Sequence, residues 1–126
     1  SNICTNSGLC ALAFTIHLSL LGEEGFTSLA RLNHARTVRL AALLDRVGGA
    51  RVLNDTFFNE FTVKLSRPAV AVVEELAGFG ILGGVAASRL EPDVEALENL
   101  LLVAVTETAS DGDMEALCGA LTEILA

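Results

Sequence analysis

The sequence predicts an α+β domain in which helices pack on one face of a small, mostly antiparallel sheet. Three observations carry that expectation. Two long helical patterns, from Thr5 to Leu21 and from about Phe26 to Val47, come first. Residues 60–65 then alternate Phe61, Val63 and Leu65 against Glu60, Thr62 and Lys64, the period of a half-buried strand. Further apolar runs separated by turn residues complete the order helix, helix, strand, strand, helix, strand, strand, helix.

The first helix begins among cap residues Thr5, Asn6 and Ser7 and carries Leu9, Leu12, Ala13, Ile16 and Leu20 at the spacing of one face. Cys10, Phe14, Leu18 and Leu21 make its other faces apolar too, so burial on several sides is expected. Gly22 is placed to close it in a left-handed cap, and Glu23 and Glu24 suit the first turn of the next helix. That helix sets Leu40, Leu43, Leu44 and Val47 against a stripe of Arg31, Arg39 and Arg46, and ends at Gly48 and Gly49.

"ARVLN" follows as a short strand, with Asn54 and Asp55 turning the chain into the next. Phe58 and Asn59 are out of phase with the alternation that follows. Either the regular strand starts at Glu60 or a bulge resets its register. Phe57 is expected to join Phe61, Val63 and Leu65 in the core. Ser66 and Pro68 open a helix to about Ala77, stopped by Gly78 and Gly80. "GILGGVAASRL" suits a short edge strand and loop, and Asn99 to Val105 a buried strand. Ser110 and Asp113 form a capping-box variant ahead of Met114, Leu117, Cys118, Leu121, Ile124 and Leu125 at helical spacing.

A chain of 126 residues is the size of one domain. We expect a single domain over 1–126, with two linking helices in 1–48 and the small α+β part in 49–126. Its net charge of −8 repels phosphate backbones and argues against nucleic acid. The hydrophobic fraction is 52% against 19% charged residues, lean in charge for a free-standing domain, so some apolar surface is expected to meet another body. The apolar stretch from Leu9 to Leu21 is interrupted by Thr15, His17 and Ser19 and is shorter than the ~20 residues of a membrane span. It also lacks the basic start and cleavage site of a signal peptide. The expectation is a soluble, cytoplasmic protein away from membranes, read as a C-terminal fragment of a longer chain.

Residue chemistry alone assembles no catalytic site. Cys4, Cys10 and Cys118 are odd in number and lack metal-ligand spacing, so they are expected as reduced packing residues, and no metal site is predicted. His17 and His34 have no second histidine at helical spacing. "GFGILGG" follows a helix and lacks the phosphate-loop register. Arg36, Lys64 and Arg89 are candidate anion holders, with surface solvation the competing role.

Five segments, "SNICTNSGLCALAFTIHLSLLGEEG", "HARTVRLAALL", "VLNDTFFNEFTVKLSRP", "GILGGVAASRL" and "NLLLVAVTETASDGDMEAL", follow one another in the order and spacing of one family. Across essentially its whole length the chain resembles the C-terminal region of subunit 1 of the two-subunit glycine dehydrogenase (decarboxylating), the P-protein of the glycine cleavage system. The resemblance implies the small C-terminal domain of a fold-type I pyridoxal-phosphate enzyme, in agreement with the element order. It implies that the whole enzyme decarboxylates glycine on pyridoxal phosphate, whose ring is the electron sink, and passes the aminomethyl group to the lipoyl H-protein.

It further implies that the Schiff-base lysine belongs to subunit 2. The cofactor would then be bound by the partner subunit, and the isolated fragment would be inactive, with a structural role. Lys64, the single lysine, is not where such a lysine would sit, and Leu100 and Leu101 stand where relatives often place a substrate-binding arginine. By the same resemblance Asn2 and Thr5 are candidates to reach the partner's cofactor phosphate, with helix capping the competing role for Thr5. Leu12, Phe14, Leu18, Asn54, Asn59 and Glu60 are the interface candidates. A self-contained ligand-binding or regulatory module is the alternative.

Overall fold

The computed structural model describes residues 5–126, and the chain divides into two compact units at the boundary between Leu32 and Asn33. A helix, α1 (Thr5–Leu44), runs through that boundary and is broken at Gly22, whose φ is 64° and ψ −175°. The positive φ matches the expected glycine stop. The extended ψ does not: this is not a left-handed cap but a conformation open essentially to glycine alone.

In the first unit the apolar residues of α1 stand largely exposed, Leu20 at 82%, Leu9 at 67% and Phe14 at 65%. Leu18 and Leu21 are half-buried. The expected burial on several sides is therefore not supplied by the described residues, and Cys10 is an exposed free thiol rather than a packing residue. By length and composition α1 is the one described helix apolar enough to cross a membrane. Gly22, with its non-helical backbone, interrupts it.

In the second unit α1 buries Thr37, Leu40, Ala41 and Leu44, the i, i+3, i+4, i+7 stripe of an amphipathic helix. The Thr37 hydroxyl, fully buried, donates to the Asn33 carbonyl at 2.7 Å, which removes the cost of an unpaired polar group. The helix ends at Leu44, three residues before the expected Val47. The Val47 amide bonds the Leu44 carbonyl in a tightened last turn and still delivers its side chain to the core. Gly49, with φ 83°, turns the chain into the sheet.

Four strands follow: β1 (Ala50–Val52), β2 (Glu60–Leu65), β3 (Val85–Ala86) and β4 (Leu100–Ala104), in the spatial order β1-β2-β4-β3. Every pairing is antiparallel, with Val52 opposite Val63, Val63 opposite Leu101, and Ala86 opposite Leu101. The regular strand starts at Glu60, so Phe58 and Asn59 belong to the loop before it. β3 lies at the sheet edge, as its glycine-rich setting predicts. It approaches β4 so closely that a Cβ on Gly84 would lie 2.4 Å from the Leu102 carbonyl oxygen.

The helices α2 (Ala69–Gly78) and α3 (Asp111–Ile124) complete the domain. Pro68 precedes α2, where its fixed φ and missing N–H do no harm. The capping box of α3 forms as expected: the Asp113 amide donates to Ser110 Oγ at 3.2 Å and the Ser110 amide to Asp113 Oδ2 at 2.8 Å. One apolar cluster joins Leu40 and Leu44 of α1, Phe61, Val63 and Leu65 of β2, Leu101 and Val103 of β4, Val72 and Leu76 of α2, and Met114 and Leu121 of α3. The helices thus cover one face of an antiparallel sheet, the α+β arrangement that the residue pattern predicts.

Candidate functional site

The other face of the sheet carries the candidate site. Because side chains alternate along a strand, burying Phe61, Val63 and Leu65 turns Glu60, Thr62 and Lys64 outward. The β4 register places Ala104, Leu102 and Leu100 beside them, and β3 adds Val85 opposite Leu102. On the far side β1 sets Arg51 directly opposite Lys64. The outward face therefore runs from a cationic corner at Arg51 and Lys64, across Leu102 and Val85, to the carboxylate of Glu60.

Two hollows shape this face. One of about 340 Å³ is lined by Asn54, Glu60, Thr62, Val85, Leu90 and Leu102 among others. Asn54 Oδ1 accepts the Thr62 amide at 2.7 Å, a bond across the loop that holds the chain after β1 against β2. The other, a shallow 630 Å³, lies between Lys64, Leu53 and the segment holding Glu95, Glu98 and Asn99. There the buried Asn99 Oδ1 has no hydrogen-bond partner among the described residues.

The described ion pairs lie elsewhere. Arg39 meets Asp111 at 2.8 Å, Arg67 meets Glu75 at 2.5 Å, and Arg89 meets Glu74 at 3.5 Å. Of the three candidate anion holders, Arg89 is thus engaged with a carboxylate, and Arg36 donates to the Glu107 carbonyl. Lys64 is exposed and forms no ion pair among the described residues, and the same holds for Arg51 and Glu60.

Asn2 lies outside the described residues, and Thr5 opens α1. Leu12 and Phe14 are exposed on α1 with Leu18 half-buried, all in the first unit; Asn54 and Glu60 are exposed and Asn59 half-buried in the second. The structure brings Asn54 and Glu60 together at one hollow. The sequence reading missed Arg51, whose place opposite Lys64 depends on strand register. The signal available was its position between Ala50 and Val52, both of which face the helices.

Histidine and cysteine chemistry is limited. His34 stacks on Phe58 with ring centroids 6.0 Å apart, and its Nδ1 lies 3.0 Å from the Phe58 carbonyl oxygen. That oxygen only accepts, so Nδ1 carries the hydrogen. Burial pushes the Cys118 thiol up from its usual range, which keeps it protonated. The Asp113 carboxyl is held below the usual carboxylate range, first by the Ser110 hydroxyl and then by the Ser110 amide. Among the described residues no three His, Cys, Asp or Glu side chains gather as metal ligands.

Leu100 and Leu101 put no charge on the middle of β4, and Leu101 is fully buried beneath the sheet. Lys64 stands on an open surface beside Glu95 and Glu98, without the enclosed pocket and phosphate cradle that a pyridoxal-phosphate lysine needs. The described residues do not fit that cofactor. What the arrangement offers chemically is a patterned surface with an apolar middle.

Comparison with known proteins places this surface in a family. The family model described as glycine cleavage system P-protein matches residues 1–121. A probable glycine dehydrogenase (decarboxylating) subunit 1 of Rhodospirillum centenum is 63% identical over 125 residues, 99% of this chain and 28% of that protein. The corresponding protein of Xanthobacter autotrophicus is 60% identical over the same shares. The crystal structure of a glycine decarboxylase (P-protein) of the glycine cleavage system, in inhibitor-bound form, superposes with a TM-score of 0.84 at 38% identity. It is matched over 99% of this chain and 28% of its own. A NifS-like protein, at 14% identity and a TM-score of 0.63 over 81% of this chain, shares the fold. The chain spans a little over a quarter of the length of the relatives it matches. On the family model and the identity of these relatives, it belongs to the glycine cleavage system P-protein family.

Proposed function

We propose that these residues are the small-domain and interface part of subunit 1 of a two-chain glycine dehydrogenase (decarboxylating), supporting glycine decarboxylation and aminomethyl transfer to the lipoyl H-protein. The observation that carries this reading is the match over 99% of the chain to proteins named as that subunit. The exposed apolar residues of α1 support it, since a protein that works alone rarely leaves such a surface open. In this reading the helical stretch before Gly48 links the small domain to the rest of subunit 1, and Leu12, Phe14 and Leu18 pack against it or against subunit 2. Asn2 and Thr5 would reach toward the partner's cofactor phosphate. The enzyme is cytoplasmic, α1 being covered by protein rather than lipid.

Pyridoxal phosphate belongs, on this reading, to the partner subunit, as the family resemblance implies, and Lys64, on an open surface beside Glu95 and Glu98, does not carry it. The part played by residues 1–126 is mechanical: they hold the assembly together and present the outward sheet face to it. The test uses full-length subunits 1 and 2 with pyridoxal phosphate and glycine. Carbon dioxide release from the glycine carboxyl should require both subunits. Borohydride reduction followed by peptide mapping should place the pyridoxyl group on a subunit 2 lysine. A pyridoxyl group on Lys64, or full turnover by subunit 1 alone, would overturn the proposal.

A further inference from the structure

Asp111 is followed by Gly112, the single Asp-Gly step of the chain, which has no Asn-Gly step either. Such a step is chemically labile, because glycine has no side chain to shield its amide nitrogen from the carboxyl carbon of the residue before it. The structure places the pair in the first turn of α3, directly after the Ser110 cap. There the Gly112 amide is one of the leading N–H groups of a helix, which have no intrahelical acceptor, and it donates to no described residue. The Ser110 hydroxyl takes the next amide, that of Asp113. The Asp111 side chain is 61% exposed, so water reaches it.

The fold does not require glycine at position 112. A Cβ there would meet nothing nearer than Ser110 Oγ at 3.7 Å, and the residue has no positive φ, so alanine would fit and would favour the helix. Two features restrain the pair. Ring closure between the Gly112 nitrogen and the Asp111 carboxyl needs the Asp111 ψ to leave the helical range, which the capped first turn opposes. Arg39 Nη1 also holds Asp111 Oδ1 at 2.8 Å. We propose that Asp111–Gly112 is a latent site of aspartate isomerisation, and that Arg39 and the Ser110–Asp113 cap are its guard. When the turn opens, the Gly112 nitrogen bonds to the Asp111 side-chain carboxyl carbon. One carboxyl oxygen departs as water with the amide proton and the carboxyl proton, leaving a five-membered succinimide. Water then breaks one of the two ring C–N bonds. Breaking the new bond restores aspartate; breaking the original peptide bond leaves the chain running through the side chain, an isoaspartate of unchanged mass. That product adds one carbon to the backbone between Ser110 and Asp113. The spacing of the capping box is then lost at the head of the helix that carries Met114, Leu117 and Leu121 into the core.

The test incubates the full-length chain that contains residues 1–126 at neutral pH, folded and in guanidinium. Isoaspartate at position 111 is followed by peptide mapping with electron-transfer fragmentation, which separates it from aspartate of the same mass. Isomerisation in the folded chain should be at least about tenfold slower than in the unfolded one, because it waits for local opening. Ser110→Ala should raise the folded-state rate about fivefold, the effect of a lost cap on that opening. Arg39→Ala should raise it about two- to threefold, a smaller effect because the pair is half exposed. Gly112→Ala should suppress the reaction in both states.

Equal rates in the folded and unfolded chains overturn the proposal, as do unchanged rates in both Ser110→Ala and Arg39→Ala. Isoaspartate forming in Gly112→Ala as fast as in the parent overturns it too. Val63→Ala, a core change in β2, is the control for general loosening of the fold. If it accelerates the reaction as much as Ser110→Ala does, isomerisation follows global unfolding, and the guard is overturned. None of these outcomes touches the proposed function, which is read from carbon dioxide release.

Discussion

The two faces of the sheet arise from one rule and reach different ends. Along β2 the alternation sends Phe61, Val63 and Leu65 to the helices, where each is at most 3% exposed. The same alternation sends Glu60, Thr62 and Lys64 to the opposite side, outside the apolar cluster that the helices close. The inner face is closed by α2, α3 and the second half of α1, so its energetics are complete within this chain. The outer face keeps half-buried Leu100 and Leu102 beside unpaired charges, and its energetics remain incomplete until another surface arrives. Substitutions should therefore divide by face: inner ones cost stability in this chain, and outer ones cost assembly.

The sharpest test of that division is Phe61→Ala. Phe61 is 3% exposed and its ring centroid lies 5.3 Å from that of Phe57, so truncation leaves a cavity and should cost about 3–5 kcal/mol by chemical denaturation. A loss below about 1 kcal/mol would mean that the inner face is not closed.

Next in size is Gly84→Ala at the sheet edge. Its φ of 142° disfavours a side chain, and the new Cβ would meet the Leu102 carbonyl oxygen at 2.4 Å. The expected cost is about 1–3 kcal/mol, with faster amide exchange in β3. An unchanged melting profile would show that the edge strand gives way freely.

Ser110→Ala removes the α3 cap and should cost about 1 kcal/mol at neutral pH. Because the Asp113 carboxyl is held below its ordinary value, its contribution is present above the usual carboxylate range and is lost as pH falls through the lowered folded value. The gap between Ser110→Ala and the parent protein should accordingly narrow in acid unfolding below about pH 4. A gap independent of pH would dissociate the cap from that carboxyl.

The smallest effect on folding belongs to the outer face. Glu60→Ala should change stability by no more than about 0.5 kcal/mol. In the full-length two-chain enzyme it should nevertheless weaken assembly or turnover. A variant as damaging to folding as Phe61→Ala, or one that assembles and turns over like the parent, would erase the contrast between the faces.

Much of this architecture was legible in the residues. Periodicity gave the alternation of residues 60–65 and left open whether a bulge precedes it, Ser110 and Asp113 announced α3, and the glycines around β3 marked an edge strand. Those features are local: each depends on side-chain alternation or on a cap three residues long. The end of α1 was misplaced because Val47 continues the apolar stripe while its amide already bonds the Leu44 carbonyl. Gly22 was read as a left-handed cap because residue type reports a positive φ and says nothing of ψ. The anion candidates failed selectively: Arg89 found Glu74 fifteen residues back and Arg36 found the Glu107 carbonyl, partners no spacing rule could supply.

The sequence by itself determined the α+β element order, the inward set of β2 and the family, because these are carried by residue identity and by order along the chain. The tertiary structure alone decided that Arg51 faces Lys64, that Asn54 and Glu60 share one hollow, and that Leu102 joins Val85 between the two charged ends. The physical reason is register. Cross-strand neighbours are fixed by hydrogen bonding between strands distant in sequence, and a shift of one residue would send each of these side chains to the other face.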